Sequence, residues 1–169
     1  MRNAPRIEDI VSEVQSQLGD NAIEAIYRKR VLTQRTRQYE LRAHPNNPRV
    51  EILHTLLGIE LKIANRRLLC PDLATARYLA VFARAGCDRV AVPYDITQIS
   101  RIADELESSW NRLMLLIERS TAGRSARLRA MVRRRLLDDL REAISRLGAG
   151  ARFPRFNQRT RQRPDPAPG

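Results

Sequence analysis

Residues 50–69 read VEILHTLLGIELKIANRRLL. Asn47 and Pro48 precede them in the cap and first-turn positions that open a helix. Val50, Ile52, Leu53, Leu56, Leu57, Ile59, Leu61, Ile63 and Leu68 follow, and at about 100° per residue they cover well over half of a helical circumference. The stretch is therefore expected to be a central, mostly buried third helix. On that projection Glu60 falls within the apolar arc, among Leu56, Leu57, Ile59, Ile63 and Ala64. Burying a carboxylate alone is costly, so Glu60 is expected in a buried ion pair with Arg67, Arg77 or Arg84 that fixes helix register.

Working outward, Ile7, Ile10, Val11, Val14 and Leu18 form the stripe of a first amphipathic helix, with Glu8 and Asp9 in its first turn and Gly19 as its stop. Asn21 with Glu24 reads as a capping box for a second helix over residues 22–42, whose stripe Ile23, Tyr27, Val31, Leu41 is thinned by Gln34 and Gln38. Asp72 caps a fourth, residues 73–85, apolar nearly all round except for Arg77 and Arg84. Residues 89–94, RVAVPY, alternate but meet Pro93, and read as an extended connector. Asp95 and Gln98 open a fifth helix with the stripe Ile96, Ile99, Ile102, Ala103, Leu106, Trp110, Leu113, Met114, Ile117. Ser125 caps a sixth that ends at Gly148 and faces inward with Val132, Leu136, Leu140, Ala143 and Leu147. The expected fold is all-α: a single helical bundle of about six helices over residues 6–148. A Pro- and Arg-rich tail over 149–169, without periodicity, is expected to be disordered.

The chain has 169 residues, and its 31 Lys+Arg against 19 Asp+Glu leave +12. Only Lys29 and Lys62 are lysines. Residues 1–120 carry a net +3, whereas residues 121–169 hold 13 arginines against four acids, a net of +9. Arg124, Arg127, Arg134 and Arg135 fall on one side of the sixth helix. Further along, Arg134 with Asp138, Arg135 with Asp139 and Glu142 with Arg146 stand at pairing distance i, i+4. A second basic cluster, RKRVLTQRTRQY over residues 28–39, supplies Arg28, Arg30, Arg35 and Arg37 among Thr, Gln and Tyr, side chains that contact phosphates and base edges. Its pentamer QRTRQ, residues 34–38, recurs at 158–162 in the tail, which adds Arg155, Arg159, Arg161 and Arg163, with Phe153 and Phe156 able to stack on unpaired bases.

Catalytic signatures are missing: the sequence contains no Gly-rich phosphate loop, GxSxG, CxxC or HExxH. His44, His54, Cys70 and Cys87 match no zinc spacing. Glu51 and His54 form a single Glu-x-x-His element, where a di-iron bundle needs two copies and two further glutamates. No metal and no cofactor are expected. The sequence has neither an apolar run long enough to span a membrane nor a signal core, and two cysteines make no disulfide framework, so a cytoplasmic location is expected. The function expected from these features is non-enzymatic: sequence-tolerant nucleic-acid binding (DNA or RNA), with the Arg-rich helix and tail on phosphates. The alternative is a helical adaptor or assembly subunit that grips an acidic protein, because Arg forks fit carboxylates as well.

Overall fold

In the computed structural model, which describes residues 5–43 and 49–149, helices and strands are interleaved. The order is α1 (Ile7–Leu18), α2 (Ile23–Ile26, prolonged by a π turn at Tyr27–Val31), β1 (Thr36–Glu40), β2 (Val50–Thr55), β3 (Gly58–Ile63), β4 (Arg66–Cys70), α3 (Leu73–Arg84), β5 (Arg89–Pro93), α4 (Ile96–Ser120) and α5 (Ala126–Leu147). The all-α bundle is therefore corrected to a mixed α/β fold with two antiparallel sheets, β2-β3-β4 and β1-β5. Asn47, Pro48 and the tail from residue 150 lie outside the described residues.

The expected third helix is the β2-β3-β4 meander. Its apolar residues alternate within each strand, so register stacks Ile52, Leu61 and Leu68 across the sheet, and Val50 with Ile63, on the face toward α3. Leu53, Glu60 and Leu69 align on the other face. A helix would have carried Gly58 in its interior. Instead Gly58, at φ +124°, opens β3 just after a two-residue turn of Leu56 and Leu57, in which the Thr55 hydroxyl accepts from Leu57 N and donates to Gly58 O. The β3-β4 turn places Ala64 at φ +52°. Neither turn carries the Asn-Gly type of signal that marks a hairpin in sequence.

The expected second helix stops at Val31, and residues 36–40 leave it for β1, antiparallel to β5. Gln34 and Gln38 thinned the helical stripe because Gln34 lies on the bend after the π turn and Gln38 is an exposed position of β1. Residues 89–93, read as a connector, are that partner strand. A two-stranded ribbon is marginal alone, and buried tyrosines complete this one. Ala91 stands opposite Gln38; its N–H donates to the Tyr27 hydroxyl (2.9 Å) and its C=O accepts from Tyr78 (2.6 Å). The two phenols thus take the place of a third strand.

Four helices follow their local signals. Asp72 caps α3 by accepting from Thr75 N (2.7 Å), Asp95 caps α4 by accepting from Thr97 N (3.0 Å), and Ser125 caps α5 by accepting from Leu128 N (3.2 Å). In α1 the Asp9 carboxylate accepts from Arg6 N. Helix α3 is buried between the meander and α4; α4 in turn packs on α1, α2 and α5. Arg77 of α3 meets Asp104 and Glu107 of α4, seven residues before Arg84 reaches the level of Trp110 and Met114, so the two helices run in the same direction. Helix α5 returns antiparallel to α4.

Candidate nucleic-acid interface

The N-terminal half of α5 collects the densest positive charge. Val132, Leu136, Leu140 and Ile144 bury its inner stripe. Arg127, Arg134 and Arg135 face the opposite way and are exposed, as is Arg124 in the turn that precedes the helix. Arg135 pairs with Asp139 (3.2 Å), and Arg146 pairs with Glu142 (2.5 Å). Asp138 is taken by Arg141 and not by Arg134, because the i, i+3 partner reaches it. Among the described residues Arg124, Arg127, Arg133 and Arg134 make no ion pair. Charges left without a carboxylate are the ones available to an anion.

Two further arginines of α5 belong to the same acid-free run in the sequence but not to the face of Arg124, Arg127, Arg134 and Arg135. Arg129 and Arg133 lie on the core side of the helix, flanking Val132 where the apolar stripe begins, and there they line a groove of about 610 Å³ between α3, α4, α5 and the start of β2. Arg84 enters it from α3, and Trp110, Met114 and Val50 give it an apolar floor. Glu118, the carboxylate that lines it among the described residues, is 3.5 Å from Arg129, which also donates from Nε to the Thr121 hydroxyl. A signal was present in the sequence: arginine occupies positions where the stripe calls for leucine. Its partner Arg84, from another helix, had none.

The second basic cluster is divided by the fold. Arg28, Lys29 and Arg30 lie on the π turn, where Arg28 is exposed, Lys29 pairs with Asp20 (2.9 Å) and Arg30 with Glu105 (3.1 Å). Asp20 is held below its ordinary carboxylate range, chiefly by the hydrogen bond from Lys29. Arg35 and Arg37 belong to the ribbon. Arg37 and Tyr39 share one face of β1, and Tyr94, just past β5, bonds from its N–H to Arg35 O (3.2 Å). The Arg35 guanidinium lies 5.1 Å from the Tyr94 ring centre; that of Arg37 lies 5.1 Å from Tyr39 and 5.6 Å from Tyr94. Sequence adjacency reveals Arg35, Arg37 and Tyr39, but Tyr94 is brought in by strand pairing.

Glu60 is 8% exposed and sits on β3 between Leu53 and Leu69, with Oε2 3.4 Å from Arg67 Nη1. Arg77 serves Glu107 and Asp104 instead, and Arg84 the groove. Glu51 pairs with Arg49 (3.2 Å), and His54 is exposed on the same strand. Among the described residues no group of three His, Cys, Asp or Glu side chains could hold a metal, and no helix is long and apolar enough to cross a membrane. Arg155, Arg159, Arg161, Arg163, Phe153, Phe156 and the second QRTRQ lie outside the described residues. No protein-family model, no curated protein and no solved structure matches the chain.

Proposed function

We propose that the chain is a non-enzymatic nucleic-acid-binding protein that engages phosphates without strong sequence preference. One observation carries this reading: Arg124 in the turn before α5, and Arg127, Arg133 and Arg134 in its N-terminal half, have no ion-pair partner among the described residues. Backbone contacts of this kind position a protein on a strand and carry no base information. The tail arginines Arg155, Arg159, Arg161 and Arg163 extend the same charge in the sequence. The reading places the protein in the cytoplasm, where the two unpaired thiols, Cys70 and Cys87, stay reduced.

The test is a titration with DNA and RNA at two salt concentrations. Affinity should fall steeply with salt and survive changes of sequence. Every arginine that neutralises a phosphate of a duplex adds about 0.9 to the steepness of the log–log salt dependence, so changing all four to Gln should reduce it by about 3 to 4. An unchanged slope in that variant, with helicity intact, would refute the proposal. The apolar floor of the groove favours a second reading, an acidic protein gripped through Arg84, Arg129 and Arg133. That reading requires preference for one protein over random DNA.

A further inference from the structure

Arg37 is half-buried, its Nε is closed off from solvent, and that atom has no hydrogen-bond acceptor. A guanidinium carries five N–H donors, and among the described residues none of those on Arg37 finds an acceptor, nor does the group pair with a carboxylate. Among the described residues it is in contact with the rings of Tyr39 and Tyr94. The nearby carboxylates are engaged elsewhere: Asp72, which acts electrostatically on Tyr39, caps α3, and Asp95, next in the chain to Tyr94, bonds to Thr97. Native proteins rarely leave a donor shut off from water without an acceptor, because it carries its full desolvation cost; here that donor is Nε, while the Nη groups reach solvent. A ring-clamped guanidinium of this kind is preorganised for an acceptor that comes from outside.

Beside it Tyr94 is 45% exposed, and Arg35 lies over its ring. A cation with open donors, next to a partly exposed aromatic side chain, is matched by a phosphate joined to a flat base. We infer that Arg37, Tyr39 and Tyr94, with Arg35, form a site for one nucleotide of an unpaired strand. Phosphate oxygens take the solvent-facing Nη donors of Arg37, and the base stacks at Tyr94. Bases in a duplex are stacked on one another and cannot reach the ring, so the site discriminates single from double strands. This inference rests on the nucleic-acid reading above but uses a different surface from α5.

The test uses the full chain with an oligothymidylate of about ten nucleotides carrying one 2-aminopurine, and a duplex of the same sequence. Arg37→Gln and Tyr94→Ala should each weaken single-strand binding at least about fivefold and abolish the quenching of 2-aminopurine, leaving duplex affinity unchanged. Tyr94→Phe should behave like the parent, because stacking needs the ring and not the hydroxyl. If Arg37→Gln perturbs the ribbon, the comparison of Tyr94→Ala with Tyr94→Phe decides, since that side chain is exposed. Equal losses on single strand and duplex, or none on either, overturn the inference while the α5 reading stands. A parent protein that binds neither nucleic acid overturns both.

Discussion

Replacing Tyr27 by Phe removes one oxygen from the centre of the molecule. The Tyr27 side chain is fully buried, packs edge-on against Phe82 with ring centres 5.5 Å apart, and joins three parts of the chain through its hydroxyl. That oxygen accepts from Ala91 N (2.9 Å) in β5 and donates to Gly148 O (2.5 Å) at the end of α5. Without it the buried Ala91 N–H has no acceptor, at about 1–3 kcal/mol. The Gly148 carbonyl is only part-buried and can be rehydrated, which adds about 0.5–1 kcal/mol. The expected loss is about 1.5–4 kcal/mol, or a melting point lower by about 3–16 °C for a chain of this size. Urea unfolding followed by far-ultraviolet circular dichroism and by Trp110 fluorescence measures it. The same group sets the alkaline limit. Burial pushes the Tyr27 phenol up to about 12, and Tyr78 well above its ordinary value. Their stabilisation is fully present below about pH 10, where unfolded tyrosines are still protonated. It is lost as pH rises toward the folded value, because the unfolded chain releases its protons first. Tyr27→Phe should therefore also flatten the fall in stability between about pH 10 and 12. A variant within about 0.5 kcal/mol of the parent, with the same alkaline profile, would refute the idea that the phenols complete the β1-β5 ribbon.

Arg77 clamps α3 to α4 by a two-pronged contact with Glu107 (2.9 and 2.8 Å) and a bond to Asp104 (2.6 Å), and these hydrogen bonds raise its pKa further. A double-mutant cycle with Arg77→Ala and Glu107→Gln should give a coupling of about 0.5–1.5 kcal/mol, discounted for partial exposure; a coupling near zero refutes the clamp. Burial lifts the thiols of Cys70 to about 11 and Cys87 to about 12, so neither should react with a thiol reagent at pH 8 until the protein is unfolded, and rapid labelling of the native chain would contradict their packing.

The sequence by itself determined what is written in short-range chemistry. α1, α3, α4 and α5 occupy the segments where 3.6-residue stripes begin at a cap or acidic first turn and end at Gly or a turn, because a helix satisfies its backbone within four residues of itself. The concentration of positive charge in α5 was legible in the same way. Residues 50–69 were not, because their strand pairing depends on partners rather than on periodicity alone. Apolar on both of their halves, they satisfy a helical projection as well as a double-sided alternation, and the turns at Leu56-Leu57 and Ala64-Asn65 lack the residues that announce a hairpin. β1 and β5 lie far apart in the chain, and no local signal joins Arg37 to Tyr94. Which arginines find carboxylates is also a tertiary matter: Arg30 meets Glu105 and Arg77 meets Glu107 across helices, whereas Arg133 turns into a groove with Arg84. Charge is a property of composition, but the partner that cancels it is set by which surfaces the non-local sheet and helix packing bring within a few ångströms.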